Sequence, residues 1–414
     1  MATQTNNDNS STSALLASQR QTTTGEYLQN LFKQLRTGNL GVIPILFGWV
    51  IIALIFQTQA PAFLTAFNLT NLIVQMAGVA MIAYGIVFIL LLGEIDLSVS
   101  YVSAVAGVLL AMGMLPPFNV PWFIMLPLAL VASTLIGLLH GVIITTFQLP
   151  SFVVTLAGFL AWSGVVLILI GGAGTVVIQE SAITSITRTF LSDEVGWVVG
   201  IIAIVLYAIT SILSNRRRQQ GGLASKPMPI IWGEIVLVAL ATIGFVIFCN
   251  SGRGMPLVTV YLIVFLIGLT YVAQNTKFGR YVYAVGGNKE AARRAGIRVE
   301  RIRVYVFMLA GFMAGVGGVI LAARLGSVAT NAGGGDLLLN AIAAAVIGGT
   351  SLFGGRGKVY SALLGALIVM TIDNGLGLIP NVSAGARSIV TGLVLLAAVI
   401  IDAISRRQQQ RTGR

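Results

Sequence analysis

The chain has 414 residues, of which 56% are hydrophobic and only 9% charged, with a mean hydropathy of +0.92 and a net charge of +12. A soluble domain carries about 25% charged residues, so this chain lacks the polar surface to coat a globule in water, and its long apolar runs must face lipid. A single cysteine (Cys249) and a single histidine (His140) exclude an internal disulfide and a Cys/His metal cluster, and no catalytic constellation or metal-ligand set is evident.

Residues 1–24, rich in Ser, Thr, Asn and Gln, are expected to be disordered, and no apolar signal-peptide core follows them. Tyr27, Leu28, Leu31, Phe32 and Leu35 recur at helical spacing with Lys33 and Arg36 among them, predicting a short interfacial helix within 1–40. Apolar stretches then predict membrane spans near 41–59, 69–92, 99–115, 122–142, 150–172, 195–213, 232–249, 256–273, 304–324, 337–352, 359–379 and 386–404. The piece at 337–352 is short enough to be re-entrant. The expected organisation is a first transmembrane half (41–213), an Arg-rich cytoplasmic insertion (214–231), a second half (232–404) and a cytoplasmic tail (405–414).

Charge tests this order. With the N-terminus inside, the inner segments hold 3 (1–40), 4 (214–231), 8 (274–303), 2 (353–358) and 4 (405–414) basic residues, leaving Arg188, Arg253, Arg324 and Arg387 outside. This positive-inside bias explains the net charge without a nucleic-acid partner. His140, alone in an apolar setting, reads as a satisfied core histidine rather than a ligand.

Asn288-Lys-Glu-Ala-Ala-Arg-Arg-Ala-Gly296, inside the cytoplasmic loop 275–303, is the most informative segment. Asn288 is a good N-cap, Glu290 suits the first turn, and Gly296 suits the residue after the helix end. A helix of about two turns is marginal in water without a partner surface. Ala291, Ala292 and Ala295 would let a partner approach closely, and Arg293 and its basic neighbours suit an acidic one. An ordinary positive-inside loop is the alternative.

The stretch Thr276–Ile297 resembles the coupling loop of bacterial sugar ATP-binding-cassette importer permeases of the ribose/xylose/galactoside group. Asn340-Ala-Ile-Ala-Ala-Ala-Val-Ile-Gly-Gly-Thr-Ser-Leu-Phe-Gly-Gly355 and Gly93-Glu-Ile-Asp-Leu-Ser98 are similar to the same family, and the three motifs run in order over residues 70–380. Where the family usually has Gly-Gly-Ile-Asp-Leu-Ser-Val-Gly, this chain has Glu94 and Ser100 in place of the second and last glycines. The insertion at 214–231 resembles the xylose-type members.

The resemblance implies an all-α, polytopic helix bundle of the type II-like importer kind, with about 10–12 spans and inverted repeats, in the bacterial cell (inner) membrane. It further implies import of a monosaccharide, a pentose such as xylose or else ribose, delivered by an extracytoplasmic sugar-binding protein. A second permease copy would complete the path, and separate ATPase subunits holding ATP and Mg would dock at Gly279, Gly286, Asn288, Glu290, Ala291, Ala292, Arg293 and Gly296. In agreement, no G-x-x-x-x-G-K-[ST] loop occurs; Gly354-Gly-Arg-Gly-Lys-Val359 lacks the hydroxyl after lysine. Gly311-Phe-Met-Ala-Gly-Val-Gly-Gly318 reads as helix packing through small residues.

Gly93-Glu-Ile-Asp96-Leu and Gly333-Gly-Gly-Asp336-Leu form a weak repeat ahead of two segments that the topology runs in opposite directions. Asp96, Ser98, Asp336 and Asn340 would then line a substrate path at half-helix ends; the alternative is two surface N-caps. Asp373 and Asn374, polar within a span, are expected to face the bundle interior or a cavity, and Asn374 joins the candidate path. An ion-coupled secondary transporter is the rival function, disfavoured by the few intramembrane ionisable groups.

Overall fold

A computed structural model describes Gly25, residues 43–221, 225–383, 385–394, 396, 397 and 400. The interfacial helix within 1–40, the tail 405–414 and the later part of the span at 386–404 lie outside the described residues; 385–394 are helical.

The chain forms α1 (Ile43–Gln59), α2 (Ala66–Leu91), α3 (Val99–Gly113), α4 (Trp122–Thr146), α5 (Ser151–Ile170), β1 (Thr175–Val177), α6 (Ser181–Arg188), α7 (Asp193–Gln220), α8 (Met228–Asn250), α9 (Leu257–Asn275), α10 (Lys277–Gly287), α11 (Lys289–Arg294), α12 (Val299–Leu325), β2 (Ser327–Ala329), α13 (Leu337–Ile347) and α14 (Val359–Leu378). In hydrocarbon every backbone polar group needs an internal partner, and apolar helices supply one within each segment. Among the described residues eight helices (α2, α4, α5, α7, α8, α9, α12 and α14) are long and apolar enough to cross a membrane; Ile45–Gln59, α3 and α13 are shorter apolar helices. The span expected over 99–115 is thus a 15-residue helix, about 22 Å long against a hydrocarbon core of about 30 Å. The non-helical chain from Gly93 to Leu97 precedes it.

One compact unit, Leu191–Met255 among the described residues, is the hairpin of α7 and α8. Val246, Cys249 and Met255 form its small core with Leu191, Val199 and Phe245. Arg216, Arg217 and Arg218, expected in a loop, ride on the last turns of α7, where cations complement the helix dipole. Asn215 exchanges bonds with the backbone of Lys226 (2.9 and 3.1 Å), and Lys226 pairs with Glu234 at 2.5 Å, closing the hairpin.

The other unit holds the remaining elements. α2 and α12 are the most enclosed of the eight long apolar helices, as expected for the axis of a bundle. They pack on each other through Gly78, which faces Leu321, and Gly85, which faces Ala310 and Met313. Gly311 and Gly315 of α12 lie on Ser133 of α4, and Gly318 lies on the Ser103 carbonyl of α3. The small-residue stripe is therefore what lets α12 touch α2, α3 and α4 at backbone distance.

β1 and β2 pair antiparallel (Thr175↔Ala329, Val176↔Val328, Val177↔Ser327), and α6 follows β1 with Ile183 fully buried. Hydropathy gave no sign of this small cap. Arg188, at the end of α6, lies against Gly326. At the opposite end Gly93 meets Gly354, and Gly355 donates to the Leu91 carbonyl at 2.9 Å. That end is where α3 departs and α13 arrives, so the two short helices run in opposite directions.

Candidate functional site

The loop expected between residues 275 and 303 is two helices. α9 stops at Asn275 because Thr276 turns extended (φ −99°, ψ 161°); its Oγ1 accepts from the Gly279 amide at 3.2 Å and starts α10. α10 buries Val282 and Val285, and Tyr283 donates to the Gly357 carbonyl at 2.7 Å. Burial, aided by neighbouring Tyr360, raises the Tyr283 phenol above the usual range. Gly279 lies on the Ala273 carbonyl and Gly286 on the Leu91 carbonyl, and a Cβ at either would collide with backbone.

α11 has the capping expected of it. The Asn288 side chain accepts from the Ala291 amide at 2.9 Å. At the other end Gly296 is left-handed (φ 82°), its amide donates to Arg293, and Ile297 donates to the Ala292 carbonyl at 3.1 Å. Those two bonds are a Schellman end. Glu290 bonds Arg293 at 3.1 Å, and Arg293 reaches Glu300 at 2.8 Å. The Glu300 hydrogen bond, with the charges of Glu290 and Glu300, holds the Arg293 guanidinium above its usual range. Both pairs are half exposed, so they orient the helix more than they stabilise it.

One expectation is corrected. Ala292 is 4% exposed and packs into the chain's own core, so it offers no approach to a partner. Its position toward α12 follows from the tight return through Gly296. Ala291, Glu290, Arg293, Arg294 and Ala295 form the free face. Lys289, Arg293, Glu300 and Arg303 line a polar cavity of about 590 Å3 with Thr145, Gln148, Leu149 and Pro150 at the α4–α5 junction.

The chain between α2 and α3 is held from several sides. The Ile95 amide donates to Ser151 Oγ at 3.2 Å and the Leu97 amide to Thr155 Oγ1 at 3.1 Å, tying it to α5. Asp96, 6% exposed, accepts from the Ser98 amide (2.8 Å) and hydroxyl (2.6 Å). Ser98 Oγ lies 3.2 Å from His140 Nδ1, and Trp162 Nε1 donates to His140 Nε2 at 3.0 Å. An indole can only donate, so Nε2 accepts and Nδ1 carries the proton toward Ser98. The resulting buried chain runs Trp162, His140, Ser98, Asp96, and His140 is the satisfied core histidine expected from the sequence.

Asp96 is buried, and Asp336, at the N-cap of α13, makes no capping bond; its Oδ2 accepts from Ser388 Oγ at 2.7 Å. The two aspartates have different hydrogen-bond partners. Their helices nonetheless meet, since Gly333 lies against the Ser100 carbonyl and Ala104 and Gly334 against the Tyr101 hydroxyl. Among the described residues, Ser100 Oγ and Asn340 Oδ1 are buried without a partner. Asn374 sits elsewhere, in an amide cluster with Asn68 and Gln75 on α2.

Residues 68–399 match the family described as branched-chain amino acid transport system / permease component. The xylose transport system permease protein XylH of Escherichia coli (strain K12) is 36% identical over 382 residues, 91% of this chain and 95% of that protein. Its Haemophilus influenzae counterpart is 35% identical over 383 residues, 91% and 100% of the two chains. The ribose import permease protein RbsC of Haemophilus influenzae is 31% identical over 354 residues, 85% and 90% of the two chains. No solved structure matches significantly.

Proposed function

The chain belongs to the branched-chain amino acid transport system / permease component family, and on that premise we propose that it is the membrane-spanning subunit of an ATP-binding-cassette importer for a monosaccharide, xylose before ribose. Family membership makes it a multi-pass protein of the bacterial inner membrane and a transport component, not an enzyme. The observation that carries the sugar reading is the likeness to xylose permeases along nearly their whole length.

In this reading an extracytoplasmic binding protein delivers the sugar to a path formed with a second copy of the chain. Separate subunits bind ATP and Mg and dock on the exposed face of α11. α11 supports that role because its caps fix its shape while its charged side chains stay exposed. The path runs past the meeting point of α3 and α13. Ser100 Oγ and Asn340 Oδ1 are unpaired there, which suits a neutral polyhydroxylated solute that both donates and accepts.

The test is co-purification of this chain with a candidate sugar-binding protein and ATPase from the same organism, followed by calorimetry of that binding protein with xylose and ribose. Tight xylose binding and a weak ribose signal are expected; the reverse order replaces xylose with ribose, and binding of neither overturns the pentose assignment.

A further inference from the structure

The helices on either side of α11, α10 and α12, both touch the chain ahead of α3. Upstream of α11, Gly286 rests on the Leu91 carbonyl, the atom that also accepts from the Gly355 amide. Downstream of α11, Arg303 Nη2 meets Glu94 Oε1 at 2.6 Å. The two side chains are 10% and 17% exposed, whereas the other ion pairs described above are a third to two-thirds exposed. Between Leu91 and Glu94 lies Gly93 (φ 73°), and two residues beyond Glu94 lies Asp96, which orders the first residues of α3 through Ser98.

We propose that Glu94 and Arg303 are a positioning pair: a strut through which displacement of α11 by a docked ATPase moves the start of α3. This inference rests on the import reading above. Three features support a strut over a static brace. A buried pair transmits displacement stiffly, because separating its charges strands both in low dielectric. Arg303 Nε is buried without a partner, so the guanidinium has an unused donor for a second arrangement. The polar cavity beside Arg303, lined also by Lys289 and Arg293 of α11, gives it room to reach one. The other anchor, Gly286 on Leu91, has no side chain and serves as a pivot.

Glu94→Gln keeps the shape and removes the charge. It is measured in the complex of full chain, ATPase and binding protein, alongside the charge swap Glu94→Arg with Arg303→Glu. The expected result for Glu94→Gln is unchanged recovery of the ATPase with the permease and a fall of about 5- to 150-fold in hydrolysis stimulated by xylose-loaded binding protein, the span of ordinary site-to-site coupling. The swap is expected to restore part of that stimulation. Full stimulation in Glu94→Gln overturns the strut, and so does a well-assembled swap that stays uncoupled while Glu94→Gln is impaired. Should Glu94→Gln fail to insert, the swap alone decides, because a static brace and a strut differ in whether its assembled complex is stimulated. If the unaltered chain recovers no ATPase, the import reading fails, which is a distinct outcome.

Discussion

Asn68, at the head of α2, and Asn374, near the end of α14, exchange two amide hydrogen bonds at 2.9 and 3.1 Å, although 306 residues separate them. Asn374 Nδ2 also reaches Gln75 Oε1 at 3.2 Å, and Asn68 Nδ2 donates to the Phe63 carbonyl at 2.9 Å. The cluster staples α14 to α2.

Asn374→Ala strands the Asn68 and Gln75 oxygens. Interhelical hydrogen bonds in membranes contribute about 0.6 kcal/mol on average and up to about 1.7 kcal/mol, and this shared cluster is expected at the upper end. Thermal unfolding in detergent should show Asn374→Ala and Asn68→Ala destabilised to a similar degree, with the double variant well short of additive. Additive losses would remove the cluster as a unit, and loss of transport at unchanged stability would return Asn374 to the path.

The Trp162–His140–Ser98–Asp96 chain makes a second prediction. Trp162→Phe removes only the indole donor, freeing His140 to take either tautomer, and costs about 1 kcal/mol. Asp96→Ala removes the acceptor for two Ser98 donors, one of them the first amide of the α3 turn, at about 1.5–3 kcal/mol. Sugar uptake per inserted molecule should therefore fall far more for Asp96→Ala than for Trp162→Phe. Equal effects would contradict a chain whose purpose is to set α3.

Sidedness is testable within one unit. In a Cys249→Ser background, cysteines at Arg294 and Gly357 should label from the cytoplasmic side, and cysteines at Arg188 and Gly377 from the outer side. Labelling of positions 294 and 188 from the same side would contradict the assigned orientation.

The helices of the bundle were legible because hydrocarbon leaves a chain few choices: long apolar runs become helices. The caps of α11 were legible because Asn288 and Gly296 each do a local job. What escaped the sequence is what depends on distant residues. α10 reads as loop in the sequence although Phe278, Val282 and Val285 recur at helical spacing, because its basic and aromatic neighbours mask the pattern. The three alanines Ala291, Ala292 and Ala295 look alike in the sequence, and only the fold decides that Ala292 points inward. The β1–β2 cap joins residues 150 to 154 positions apart and leaves no hydropathy signal. The interior position of Asn374 is legible, but a buried polar group in a span signals a need for partners, not which partners answer it.

The free face of α11 carries a further prediction. Ala291→Trp adds bulk where nothing of this chain lies, so insertion and stability should be unchanged while ATPase recovery falls. Ala292→Trp instead overpacks the chain's own core, at about 1–3 kcal/mol, and should lower stability itself. Gly296→Val forces a β-branched residue to φ 82°, costing about 1–2 kcal/mol or more, and should loosen α11 without loss of insertion. Wild-type ATPase recovery for Ala291→Trp would move the docking face elsewhere.

The central claim is met most directly by uptake of labelled xylose into proteoliposomes containing this chain and its ATPase, with the binding protein added outside and ATP enclosed. The account predicts accumulation that needs both the binding protein and ATP and that survives collapse of the proton and sodium gradients. Accumulation by the chain alone, driven by an ion gradient and indifferent to ATP, would contradict it.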